Sequence, residues 1–139
     1  YFNLPRWLLE GGATWSQSSA VFNFDYVQYL SERQRNTADL FSNASTYTEP
    51  WIETFLNPNP NASWDYWNSF PNWRLYDIGL MATEVLVSIK GPDAMMKLYT
   101  DVGNGQTFAQ AFITEYSLPW DQAVKLIAQA INLEINNPI

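Results

Sequence analysis

The sequence predicts an all-α fold, an irregular helical bundle, on three observations. Apolar residues recur at three- and four-residue steps in several separate segments. Glycine and proline punctuate those segments at helix-terminating and helix-starting positions. No stretch shows the strict alternation of a half-buried strand. The 139 residues are close to the commonest size of one domain, so a single helical domain is expected over 1–139.

Each element has its own grounds. A first helix is expected over 5 to about 18, with Pro5 in the first turn, where its missing N–H is not needed. A second is expected over 22–35, with Phe24, Val27 and Leu30 near one face. Residues 36–72 read as a long loop rich in Asn, Pro and aromatic residues, interrupted by one short helix over 49–56. The strongest periodicity follows: Leu75, Ile78, Gly79, Ala82, Val85, Leu86 and Ile89 form one apolar stripe. Gly91 ends that helix and Pro92 starts the next, which carries Met95, Leu98 and Tyr99. After the turn at "GNG", Thr107 and Gln110 form a T-x-x-Q capping box ahead of Phe108, Ala111 and Phe112. Residues 117–119 break that helix, and Val124, Ile127, Ala128 and Ile131 stripe the last one.

Composition narrows the function. The formal charge of -7 gives a surface that repels phosphate backbones and anionic membranes, so no nucleic-acid partner is expected. With no cysteine and no histidine, thiolate or imidazole metal sites and Ser-His-Asp or Cys-His catalysis are impossible within these residues. No apolar run approaches the roughly 20 residues that span a bilayer, so the chain is not expected to be transmembrane.

One stretch stands apart. "LPRWLLEGGATW" (4–15) places Glu10 among apolar neighbours and follows it with two glycines, the poorest ordinary helix formers. Small residues allow another helix to approach closely, and a carboxylate beside such a contact is placed to act as a ligand across it. This stretch resembles the P-x-W-x-x-E-G-x-A segment of gluzincin metallopeptidases, the peptidase-MA-like group. Further on, "YDIGLMATEVLVSIKGPDAMMKLYTDV" (76–102) and "QTFAQAFITEYSLPWDQAVKLIAQAI" (106–131) look like that family's long apolar helix and its amphipathic ending.

The resemblance implies the C-terminal helical subdomain of a zinc-dependent hydrolase that cleaves peptide or protein substrates. Glu10 then stands at the position of the third zinc ligand. Two histidines and the general-base glutamate come from an HExxH helix roughly two dozen residues upstream. Only nine residues precede Glu10, and none of the 139 is histidine. The expectation is therefore an upstream segment or chain carrying HExxH, or else a degenerate relative, with these residues inactive alone. Tyr76 lies where family members can place an oxyanion donor. By analogy with related peptidases, the setting is extracellular or the cell envelope.

Three other readings compete. Trp64, Trp67 and Trp73, with Tyr66 and Phe70, are candidate substrate-binding residues, and they also suit a non-catalytic module for glycans or peptides. Glu10 with Asp77 or Glu84 is a conceivable glycosidase carboxylate pair. Asp77 and Glu84 lie seven residues apart, and a solvated helix face explains them more simply. As a plain structural residue, Glu10 is expected to pair with Arg6 or Arg74.

Overall fold

The computed structural model describes residues 4–23, 25–57 and 74–137, and among these it is all-helical, with no strand. The elements are α1 (Arg6–Val21), α2 (Tyr26–Ser42), a 3-10 turn (Ala44–Thr46), α3 (Glu49–Leu56), α4 (Arg74–Gly103), α5 (Phe108–Tyr116) and α6 (Trp120–Asn136).

Pro5 caps α1, and its carbonyl accepts the N–H groups of Leu8 and Leu9 at 3.0 and 3.2 Å. The helix runs one turn beyond the expected end, to Val21. The chain then turns through Asn23 (φ 47) to Asp25, whose side chain accepts the Gln28 N–H at 3.0 Å and opens α2.

The second helix departs from expectation in start, length and face. It continues to Ser42, so residues 36–42 are helix rather than the beginning of a loop. Val27 is exposed; the inward face runs through Tyr29, Arg33, Thr37 and Leu40, and Phe24 lies outside the described residues. That face is largely polar, which hides it from an apolar periodicity. The Thr37 hydroxyl can be buried because it donates to the Arg33 carbonyl at 2.8 Å.

The short α3 matches its expected span, with Pro50 in its first turn. The bend in α4 also falls where the sequence places it: Gly91 takes φ 80, ψ 170, and Pro92 restarts the helix. Its first limb, 74–90, is buried well beyond one stripe, with Leu80, Met81 and Thr83 inside as well as Leu75, Ile78 and Leu86. This limb is the central helix. Ile89, expected on the stripe, is exposed at the limb's end.

Both halves of the capping box on α5 form: Thr107 Oγ1 accepts the Gln110 N–H at 3.2 Å, and Gln110 Oε1 accepts the Thr107 N–H at 3.0 Å. Ser117 ends α5 in the left-handed region (φ 59, ψ 25), and Pro119 precedes α6.

The apolar cluster extends from Leu4 to Ile135. At one end Trp7 stacks on Trp120 with centroids 5.8 Å apart, and Phe108 and Phe112 meet Trp120 edge-on at 4.9 and 5.0 Å. Each indole N–H finds an acceptor at the end of α3. Trp7 donates to the Leu56 carbonyl at 2.7 Å, and Trp120 donates to Asn57 Oδ1 at 3.1 Å. The first bond satisfies one of the carbonyls that a helix end leaves unpaired.

Removing the Thr107 cap tests this account of α5. Thr107→Ala is expected to destabilise the protein by about 1 kcal/mol, which lowers the thermal midpoint by roughly 3–4 °C in a scanning calorimeter.

Candidate functional site

The placement of Glu10 follows from the glycines beside it. At the crossing of α1 and α4, a Cβ added to Gly11 would lie 2.1 Å from the Gly79 carbonyl carbon. A Cβ on Gly79 would lie 2.6 Å from the Trp7 carbonyl oxygen. Both distances are far inside van der Waals contact, so neither position accepts a side chain while the helices keep this approach. One residue on, Gly12 leaves room for Tyr99 from the second limb of α4, whose hydroxyl donates to the Leu8 carbonyl at 2.6 Å. Burial pushes the Tyr99 phenol up to about 12, keeping it the proton donor. The two limbs of α4 thus hold α1 at successive residues.

Glu10 stands on the flank of α1 next to this clamp, with 29% of its side chain exposed. Arg6 Nε lies 3.8 Å from its Oε1, a long contact one helix turn away. Arg74, the other expected partner, is engaged elsewhere. Its guanidinium is 4% exposed, lies 4.9 Å over the Tyr47 ring, and sends Nη2 to Asp39 at 2.6 Å and to Asp77 at 3.0 Å.

This cluster forms one wall of a polar recess of about 470 Å3 between α1, α2 and the start of α4. Tyr76 lines that recess and is 42% exposed. Asp77 is buried within the wall. Burial pushes its carboxyl up to about 7, while Arg74 and the Ile78 N–H (2.6 Å) pull it down and Asp39 adds to the rise.

Glu84 takes part in a second cluster, which joins α2, α4 and α6. Arg33 Nε donates to both Glu84 oxygens at 2.9 Å, and Arg33 Nη2 reaches Glu134 at 2.6 Å. The Tyr29 hydroxyl donates to Glu84 Oε1 at 2.5 Å. Burial, then the Glu84 charge, raises the Tyr29 phenol well above its usual range. Burial works against the Arg33 charge, yet the Glu84 and Glu134 contacts outweigh it and raise its pKa.

The solvated face expected for Asp77 and Glu84 is therefore replaced by two inward ion-pair clusters. Asp77 and Glu84, the two alternative partners of Glu10 in the conceivable glycosidase pair, are each committed to a guanidinium. Sequence spacing could show Arg74 and Asp77 as an i,i+3 pair, but not the partners that α2 and α6 bring to Arg33 and Glu84.

Zinc needs several donors at one point. Among the described residues, no three His, Cys, Asp or Glu side chains come together to hold a metal ion. The donor set of the described residues alone therefore does not fit a zinc site. Trp64, Trp67 and Trp73 lie outside the described residues. No described helix is long and apolar enough to cross a membrane. Comparison with family models, curated proteins and solved structures finds no match for this chain.

Two measurements follow from this geometry. Gly11→Ala forces α1 from α4 and is expected to destabilise by about 3 kcal/mol, a fall of roughly 10 °C in the thermal midpoint. Gly103→Ala, with open space around its added Cβ, serves as the control and stays within about 0.5 kcal/mol. The second concerns pH. Asp77 goes from an ordinary 3.8 to about 7 on folding, so the folded state holds that proton more tightly than the unfolded chain. Its contribution to stability therefore falls as pH rises between those values and is flat above them. Asp77→Asn is expected to gain on the parent protein across that window in urea midpoints, and a constant difference would contradict the assignment.

Proposed function

We propose that this chain is the C-terminal helical part of a zinc metallopeptidase-like protein of the gluzincin type, which hydrolyses peptide bonds in its complete form. One observation carries the reading. Glu10 projects from a half-open flank of a helix whose backbone is fixed against α4 by Gly11 and Gly79. A surface glutamate held only for solubility does not need such a crossing beside it. A metal ligand does, because its carboxylate has to stay within a fraction of an ångström of one position.

In this reading Glu10 supplies one oxygen, and an upstream HExxH helix supplies two imidazoles and the general base. Zinc held there by Glu10 and the two imidazoles would supply an acidified water and Lewis-acid polarisation of a scissile carbonyl. Arg6, on the turn before Glu10, lies 3.8 Å from its carboxylate. Tyr76, exposed at the first turn of α4, is the candidate to donate a hydrogen bond to the oxyanion of the tetrahedral intermediate.

Calorimetric titration of the 139-residue chain with zinc is expected to show no stoichiometric site, since its donors are too few. Tight one-to-one binding would overturn the claim that the other ligands come from elsewhere. A coding sequence upstream of Tyr1 without HExxH at roughly the family distance would overturn the peptidase reading itself.

A further inference from the structure

Two exposed aliphatic side chains mark a separate hollow, where α4, α5 and α6 meet. Ile89 and Leu126 are 59% and 58% exposed, and both line its mouth. The hollow has a volume of about 250 Å3, and Leu86, Phe112 and Ile127 form its buried wall. Three elements turn beside it. The first limb of α4 ends at Gly91, α5 ends at Ser117, and α6 begins after Pro119. None of these residues takes part in the metal chemistry above, so the site is independent of it.

Size and lining favour an alkyl chain. A cavity of about 150 Å3 lined by Leu, Ile and Phe takes benzene, so this one has room for roughly eight to ten carbons. Among the described lining residues, the Tyr116 hydroxyl is the one polar side-chain group. Tyr116 is 8% exposed, and its hydroxyl reaches the Leu86 carbonyl only at 3.4 Å, beyond an ordinary O–H···O bond. Burial, then the Glu115 charge, pushes this phenol up to about 12, so it keeps a proton that the protein barely uses.

Charge at the same end favours an anionic head group. Lys90 follows Ile89 and donates to the Glu115 carbonyl at 2.8 Å, which puts its ammonium beside the Tyr116 peptide group. Leu86 lies one helix turn before Lys90, so the Tyr116 hydroxyl and the ammonium share one end of the hollow. Lys90 makes no ion pair among the described residues, and the Glu115 carboxylate is engaged by Lys97 at 3.6 Å. Two ammonium groups thus share one carboxylate here, in a chain whose formal charge is -7.

We propose that this hollow binds a medium-chain fatty acid, its carboxylate between the Lys90 ammonium and the Tyr116 hydroxyl and its chain against Phe112 and Ile127. The test is an NMR titration of the methyl-labelled 139-residue chain with decanoate, hexanoate and decyltrimethylammonium, each below its micelle-forming concentration. Decanoate is expected to shift the Ile89, Leu126 and Ile127 methyls. It should bind at least about tenfold more tightly than hexanoate and about fivefold more tightly than the cation. Lys90→Met keeps the length of an exposed side chain without its charge, and is expected to erase the preference for decanoate over the cation. Tyr116→Phe, which removes only the weakly bonded hydroxyl, is expected to weaken decanoate about threefold and leave the cation unchanged. Decanoate binding no tighter than hexanoate or the cation, an unchanged preference in Lys90→Met, or shifts confined to other surfaces would overturn the proposal. Shifts of the same methyls on raising the protein concentration alone would assign the hollow to a second copy of the chain, and would overturn it too.

Discussion

Where α1 crosses α4, Gly11 and Gly79 bring two backbones closer than any side chain would allow. Much of the remaining structure depends on this contact. With no Cβ between them, the helices meet along their length, and α1 packs on α4 more extensively than any other pair of elements. The approach brings the Leu8 carbonyl within reach of Tyr99 and seats Trp7 against Trp120. Helix propensity alone argues against two adjacent glycines here, at roughly 1 kcal/mol each relative to alanine. Tertiary contact outweighs that local penalty.

The polar architecture is organised around the same central helix. Few residues are charged, and two arginines turn inward, each held by more than one carboxylate. Arg74 and Arg33 tie α2 to α4, and Arg33 also reaches α6. Breaking such a pair leaves an uncompensated charge, so each cluster favours one register of the helices over others. Asp77 is the soft point, since burial outweighs its guanidinium partner and draws its titration toward neutrality. The recess opens beside that cluster, and Glu10 stands on the same flank of α1, outside the recess.

The all-α class, the short α3, the break at Gly91 and the capping box of α5 were all legible from the sequence. Each is governed by local chemistry: apolar spacing, a fixed φ, a side chain that satisfies an end group. The inward face of α2 was not legible, because Tyr29, Arg33 and Thr37 carry it and apolar periodicity cannot see them. The fates of Asp77 and Glu84 were hidden for a related reason, as their partners come partly from helices 30 or more residues away in the chain. Of the candidate site, the glycine contact beside Glu10 was anticipated as a place where another helix lies close. That this helix is α4, from the same chain, emerges only from the packing. The recess left no trace in the sequence, since its lining is assembled from three separated segments of ordinary polar residues.

The central claim is that the rigid crossing serves to present Glu10 as a ligand. Its most direct test is zinc content and peptide hydrolysis in a protein that carries these residues behind an HExxH segment, compared between the parent and Glu10→Gln. The account predicts stoichiometric zinc in the parent. In the variant, zinc affinity falls by more than the roughly 10–100-fold that loss of an outer-shell partner causes, and hydrolysis is lost with it. Unchanged zinc content and unchanged hydrolysis in Glu10→Gln, with the fold intact, would contradict it.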